Sequence, residues 1–268
     1  MLASRLAAVL VSTVILGCSA EAQPDGKVQI QLRGTIDADT ARRLSEEIAK
    51  HPVNSVVLEV QSPGGDALAA MDLGDVVRRH KVSMLVKGYC HSACSQYLMP
   101  SAARVTIDGK ASIAFHGTPS WIAHNVPESD ELKSFYNAFR VRERDFLSQR
   151  GIDYQAWLWV QSQMGPICLF LNAKAEPDSP DRYGLLYRNH IVAPSRGVME
   201  QMGYRNLSGV FPSSASEAKE FAVRQGFRSS IVVEFVQEIM VAKDWQSPQV
   251  PPCVKVRATE QRPQRLPR

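Results

Sequence analysis

Three features of the sequence predict an α/β fold built on a parallel sheet. Strand-like and helix-like patterns alternate from Lys27 onward, the candidate strands run out into short turn-forming segments, and 44% of the 268 residues are apolar, enough for a sizeable core. Residues 28–32 read as a short strand, and Ala41, Leu44 and Ile48 then recur at helical spacing behind the N-cap candidates Asp37 and Asp39. Residues 55–60 give a second strand, stopped by Ser62-Pro63-Gly64-Gly65. Ala69, Leu73, Val76 and Val77 mark one face of a helix running to about His80, and residues 82–86 give a third strand. A short segment from His91 to about Pro100 follows, then two strand-like runs at residues 104–107 and 111–115, divided by the turn pair Asp108-Gly109.

Beyond His116 the period lengthens. Residues 131–149 predict a long charged helix with Leu132, Phe135, Phe139 and Phe146 on its buried side, and residues 152–164 a second helix. That second helix carries Trp157 and Trp159 two positions apart, so at least one ring belongs to the core. A turn-rich break at 175–182 precedes a strand over 183–193 and a helix over 195–202 ended by Gly203. Residues 216–225 and 231–242 read as two further amphipathic helices, and from about Gln246 the Pro, Gln and Arg content indicates a loose tail. The expected organisation is a leader at 1–22, a main domain at 27–205, a helical extension at 206–245 and a disordered tail at 246–268.

Lys and Arg number 31 against 27 Asp and Glu. Lys255, Arg257, Arg262, Arg265 and Arg268 against Glu260 in the tail account for the whole excess of +4. A near-neutral body with 7% aromatic residues argues against nucleic-acid binding, which needs clustered positive charge on the folded surface. At the other end, a basic start through Arg5 is followed by an apolar or small stretch from Leu6 to Gly17, too short to span a bilayer as a helix. This reads as an export signal with two competing endings. Ile15-Leu16-Gly17-Cys18 resembles a lipobox that would place a lipid on Cys18, and so hold the protein to the membrane, while Ala20-Glu21-Ala22 fits ordinary cleavage into the periplasm.

Export leaves Cys90, Cys94, Cys168 and Cys253 in an oxidising compartment, where three pairings are open. Cys90 with Cys94 is slightly favoured, because residues four apart at the start of a helix can meet the Cα spacing of roughly 4.4 to 6.8 Å that a disulfide tolerates. Cys168 with Cys253 is the competing pair. With no second Cys-x-x-Cys or His pair nearby, a structural metal is not expected.

Ser62-Pro63-Gly64-Gly65, Gly88-Tyr89-Cys90-His91-Ser92-Ala93 and His116-Gly117 each follow a strand candidate at its carboxyl end, the edge on which ligand sites of open parallel sheets are built. Together they offer what acyl transfer needs. Ser92 would be the nucleophile at the start of a helix, His116 the general base, and the backbone N–H groups of Ala93 and Gly65 the two oxyanion donors. Against this, Ser92 would be a common N-cap, His116 a strand-end core histidine, and the glycine pair a tight turn.

The ordered set Gly34-Thr35-Ile36, Ser-Pro-Gly-Gly, a Gly-x-x-x-Ser elbow ending at Ser92, and His116 resembles the Clp protease proteolytic subunit family of the Clp protease/crotonase superfamily. The Ser92-Ala93-Cys94 elbow with Phe115-His116 looks closer still to exported bacterial Clp-protease-like proteins. The resemblance covers about residues 28–117, with a weaker echo at 190–203. It implies a spiral of parallel strands with crossover helices, a serine nucleophile at Ser92, a base at His116, and oxyanion donors at Gly65 and Ala93. The sequence departs from the family at the third catalytic member: counting back from Gly203 lands on Ile191, beside His190 and Asn189, where the family has an Asp. An Asn can orient an imidazole, so Asn189 is the candidate and Asp181 a more remote one.

These observations lead to an exported serine peptidase or other hydrolase acting on peptide or protein substrates, with no cofactor. An ATPase partner is not expected where ATP is scarce, and the long charged helix is a candidate interface between copies. The alternatives are a non-catalytic binding or assembly protein, a crotonase-like acyl-thioester enzyme, and a Ser-Lys dyad using Lys87 or Lys110. Either Cys90 or Cys94 could serve as nucleophile if reduced. His91 would be solvated or a pocket wall, and His124 at best a substrate contact.

Overall fold

The computed structural model describes residues 26–118, 130–164, 168–171, 183–186 and 190–240. The leader with Cys18, the tail with Cys253, and His124, Asp181 and Asn189 lie outside them.

The centre is a five-stranded, wholly parallel sheet in the order β1-β2-β3-β4-β8. Its strands are β1 (Val28–Arg33), β2 (Val56–Ser62), β3 (Ser83–His91), β4 (Arg104–Ala114) and β8 (Leu207–Gly209). The first four stand side by side in chain order, so each crossover steps one strand over in the same direction. Right-handed crossovers of that kind put successive helices on one face. Those helices are α1 (Ala38–Ala49) and α2 (Ala67–Arg79). Asp37 caps α1 by accepting the Thr40 N–H at 2.8 Å, and Asp66 caps α2 by accepting the Ala69 N–H at 2.7 Å. Ala41, Leu44 and Ile48 of α1 and Leu73, Val76 and Val77 of α2 are buried in one core with Leu32, Leu58, Val60, Met84 and Val86 of the sheet.

The alternate positions of β1 to β3 face the other way and are polar apart from Val57 and Leu85. Glu59 there is buried among Arg33 at 3.0 Å, Lys87 at 2.8 Å and Gln29. Such a charge holds its place in a sheet only because cations from both neighbouring strands meet it.

Between β3 and β4 the crossover shrinks to a π-helical turn, Cys94–Leu98, and a 3-10 turn, Met99–Ser101. Behind them pack α3 (Asp130–Ser148) and α4 (Tyr154–Ser162), which bring Phe139, Phe146, Leu147 and Trp157 into the core. Trp157 and Trp159 are both buried. Arg150, just after α3, ties this layer together by donating to Asp75 at 2.7 Å, Ser101 Oγ at 2.6 Å and the Phe146 carbonyl at 2.8 Å.

The remaining elements are β5 (Cys168–Leu171) and β6 (Tyr183–Leu186), an antiparallel pair; β7 (His190–Pro194) and β9 (Val232–Val236), a parallel pair; α5 (Arg196–Gln201); and α6 (Ala215–Arg224). Ser195 and Ser214 cap α5 and α6. A small second core of Ala114, Ile191, Ala222 and Ile231, with Phe227 and Val233 against it, joins α6 and the β7–β9 pair to the end of β4.

Four expectations need correction. The runs at 104–107 and 111–115 are one strand, because Asp108-Gly109 is absorbed as an irregularity: Lys87 pairs with Asp108 and Tyr89 with Ser112, so β4 carries the extra residues without reversing. The strand expected over 183–193 is two, β6 and β7, in different sheets. The helix expected at 231–242 is the strand β9, since its β-branched Val232, Val233 and Val236 find a parallel partner in β7. With β8 added to the central sheet, the stretch 206–245 is therefore not a helical extension but contributes a strand to each of two sheets.

Candidate active site

The carboxyl ends of β2 to β4 are held in register by the pairs Ser62 with Cys90, Cys90 with Ile113 and His91 with Ala114. The turns leaving β2, β3 and β4 therefore meet along one edge.

Ser92 occupies the turn from β3 into the π-helical segment with φ at +54°, a left-handed conformation that non-glycine residues seldom adopt and that costs of order 1–3 kcal/mol. Its N–H donates to the Ala114 carbonyl at 2.9 Å, and its own carbonyl accepts the Gln96 N–H at 2.9 Å and Ser95 Oγ at 3.0 Å. Ser95 Oγ also reaches the Ala114 carbonyl at 2.7 Å, and Tyr204 donates its hydroxyl to the Ser95 carbonyl at 3.1 Å. A disulfide between Cys90 and Cys94, with Cα atoms 5.3 Å apart, spans the turn. This is the favoured pairing of the sequence analysis. Ser92 is not an N-cap of the usual kind, since capping residues hold extended φ and ψ.

Against the elbow lies the turn after β2. Gly64 (φ +90°) approaches so closely that a Cβ there would stand 2.7 Å from Ser92 Cβ and 2.8 Å from Ala93 N. Only glycine permits this contact. Gly65 packs on the other side, against the backbone of Ile36. The Gly64 carbonyl accepts the Ile36 N–H at 2.8 Å, toward β1, and because a trans peptide points its N–H opposite its C=O, the Gly65 N–H is directed to the β3 side, where the elbow lies. Ser62 Oγ braces the turn by donating to the Gly34 carbonyl at 2.7 Å and accepting the Gly64 N–H at 3.1 Å.

His116 follows β4 by two residues. The residue is of intermediate exposure, and burial pushes its pKa down to about 4, against a smaller opposing pull from the Gly117 backbone. The Gln96 side chain donates to the His116 carbonyl at 2.8 Å, which ties this residue to the elbow segment. His91 is neither solvated nor an open pocket wall: it is 3% exposed, its Nε2 lies 2.9 Å from Ser112 Oγ, and Phe227 covers its ring at 4.7 Å. Burial, and then the charge of His116, push its pKa down to about 3.

Phe115 exchanges two backbone hydrogen bonds with Val192, at 2.7 and 2.9 Å in an antiparallel bridge, which carries β7 alongside the end of β4. One residue further along each chain sets the buried, apolar Ile191 beside His116. His190 meets Glu234 at 3.3 Å instead of turning to the site. Lys87 and Lys110 are each engaged with a carboxylate, Glu59 and Glu220, both at 2.8 Å. Among the described residues no group of three His, Cys, Asp or Glu side chains could hold a metal ion.

Sequence reasoning passed over two features of the site. The sequence gives the Gly64-Gly65 pair a tight turn and an oxyanion N–H at Gly65, and does not anticipate the packing of Gly64 against Ser92. The bonds made by Gln96 and Gln161 around His116 join residues 20 and 43 positions apart and leave no local pattern. No protein-family model matches the chain, and no curated protein matches it either.

Proposed function

We propose that the protein is an exported serine hydrolase of Clp-protease-like fold, acting on peptide or protein substrates. The observation that carries this reading is Ser92 held at φ +54° between β3 and the following helical turn, with Gly64 packed against it. A strained serine on a sharp strand-to-helix turn is the arrangement that projects a nucleophile from the end of a parallel sheet. The single direction of strand order in the central sheet supports the spiral architecture of the Clp protease/crotonase superfamily.

In this reading Ser92 Oγ attacks the substrate carbonyl while His116 takes the hydroxyl proton. The carbonyl oxygen, now negative, is received by the N–H groups of Ala93 and Gly65. The proton on His116 then passes to the leaving amine as the carbon–nitrogen bond breaks, and water, deprotonated by the same imidazole, releases the acyl group from Ser92. The steps need neither metal nor organic cofactor, and they need no ATPase partner. The Leu6–Gly17 segment supports export, ending in lipidation at Cys18 or in cleavage after Ala22. No described helix is long and apolar enough to cross a membrane.

The test is to label the purified mature protein with a fluorophosphonate probe and map the adduct. Modification of Ser92 alone, abolished in Ser92→Ala, is the expected result. Absence of labelling in correctly folded protein favours the second reading, a binding protein that keeps the fold. That reading draws on the apolar Ile191 beside His116 and on the lowered pKa of the base, which make the imidazole a weak proton acceptor.

A further inference from the structure

We propose that Gln96 and Gln161 are positioning residues, two buried amides from different helices that grip the backbone at His116 and two residues beyond it, and so fix the base relative to Ser92. The inference rests on the hydrolase reading and adds to it the parts that hold its base.

The β4 ladder reaches only as far as Phe115, whose N–H and C=O both go to Val192. Immediately beyond, the chain is caught twice. Gln96 Nε2 donates to the His116 carbonyl at 2.8 Å, and Gln161 Oε1 accepts the Thr118 N–H at 2.8 Å. Both side chains are fully buried, 1% and 0% exposed. Gln96 comes from the π-helical turn after the elbow and Gln161 from the end of α4, so the two bonds approach residues 116–118 from separate elements.

Gln96 makes a second bond that gives the first its meaning. Its backbone N–H donates to the Ser92 carbonyl at 2.9 Å. One residue is thus bonded to the carbonyl of the nucleophile through its main chain and to the carbonyl of the base through its side chain. This bridge adds to the Ser92 N–H bond with the Ala114 carbonyl, which holds the same two segments two residues before His116.

Gln161 supplies the other end of the clamp. The Thr118 N–H can donate only to an oxygen, which fixes the orientation of the amide and leaves Nε2 buried with no acceptor among the described residues. A methionine of similar volume would avoid that stranded donor, so packing alone does not account for an amide here. Its oxygen is the functional half.

The experiment measures fluorophosphonate inactivation of the full mature protein, separating kinact from KI, in Gln96→Met, Gln161→Met and Gln161→Glu. Loss of either grip lets the base drift, and displacements of about 1 Å cost up to roughly a hundredfold in rate. Gln96→Met and Gln161→Met are therefore expected to lower kinact by about ten- to a hundredfold, with KI and near-UV circular dichroism unchanged. Gln161→Glu keeps an oxygen for the Thr118 N–H and should restore the rate. Hydrogen exchange at the Thr118 amide should be slow in the unaltered protein and in Gln161→Glu, and fast in Gln161→Met.

Folded methionine variants that label at the unaltered rate would overturn the proposal. So would a Gln161→Glu variant that keeps the slow Thr118 amide yet reacts as poorly as Gln161→Met. An unaltered protein that fails to label at all sinks the hydrolase reading, and the positioning role with it. Labelling of the unaltered protein with indifferent variants sinks the clamp alone.

Discussion

The turns leaving β2 and β3 stand in contact, and both contain left-handed backbone, yet they meet that demand in opposite ways. After β2 the chain uses glycine twice, Gly64 at φ +90° and Gly65 at φ +148°, where a side chain is excluded by space as well as by torsion. After β3 the left-handed position is given to Ser92, and nothing about the turn itself calls for a serine. Gly34, after β1, shows the relaxed case: φ +85° with open space around it. The contrast teaches that the cost at Ser92 is not a requirement of the fold. Glycine would serve the backbone better, and under the proposed hydrolase reading the side chain is what the strain is kept for.

Replacing Ser92 by glycine should produce the largest effect and the sharpest one. Fluorophosphonate labelling disappears, while stability rises by about 1 kcal/mol as the left-handed strain is relieved. Ser92→Ala also abolishes labelling but keeps the strain. Urea midpoints for the three proteins check this. A Ser92→Gly protein less stable than the unaltered one would mean that the serine is a structural cap and would erase the contrast between the two turns.

Gly64→Ala comes next. The atoms its Cβ would meet at 2.6 to 2.8 Å include the His91 carbonyl and Ala93 N, which are backbone and cannot swing aside, so the elbow itself must move. The labelling rate is expected to fall by roughly a hundredfold, with overpacking costing about 1–3 kcal/mol in stability. Gly34→Ala is the control: torsional strain alone, of about 1 kcal/mol, and an unchanged labelling rate. Equal effects of the two alanines on labelling would show that the Gly64 contact carries nothing specific.

How much of this was legible beforehand depended on how local the determinant was. The first half of the sheet follows short-range rules: Asp37 caps α1, Ala41, Leu44 and Ile48 face the core at helical spacing, and Ser62-Pro63-Gly64-Gly65 stops a strand. The elbow and the glycine pair were visible for the same reason. The second half was misread where pairing is long-range. Residues 232–236 are a strand because β7 lies alongside, 42 residues back in the chain, and Asp108-Gly109 is a bulge because β3 continues past it. Gln96 and Gln161 were unreadable on the same ground.

A smaller effect concerns acidity. His116 and His91 are held neutral in the folded protein, with pKa values pushed down to about 4 and about 3, whereas in the unfolded chain both would titrate near 6.5. Protons are therefore taken up on unfolding at acid pH. The stability contributed is complete above about pH 6.5 and declines as the pH falls through that value toward the folded pKa values. The labelling rate, which needs neutral His116, should stay on its plateau down to about pH 5 and halve near pH 4. A carboxylate closing on the imidazole would instead raise the midpoint to about 6.5 or above. The pH profile in Asp181→Asn decides between them, and no shift in its midpoint is expected.

The disulfide distinguishes the elbow from the glycine turn in one more respect, and here the expected change in labelling rate is smaller than that of Gly64→Ala. Cys90 and Cys94 enclose only His91, Ser92 and Ala93. Constraining so short a loop in the unfolded chain is worth about 2 kcal/mol or less on the loop-entropy scale, against nearly 5 kcal/mol for a loop of a hundred residues. Its geometric consequence is more direct, because Cys90 is still in the ladder, paired with Ile113, while Cys94 opens the π-helical turn, and Ser92 stands midway between them. Mass spectrometry of the unreduced, alkylated protein should recover Cys90 and Cys94 in one linked peptide, with neither alkylated. In the double variant Cys90→Ala, Cys94→Ala, the melting temperature should drop by only a few degrees, on the order of 4–8 °C per kcal/mol at most for a small domain and less for a chain of this size. The labelling rate should drop by roughly tenfold as the elbow loosens. The reverse pattern, a large fall in melting temperature with an unchanged labelling rate, would make the bridge a staple of the fold and leave the elbow held by Gly64 and the Ala114 hydrogen bonds alone.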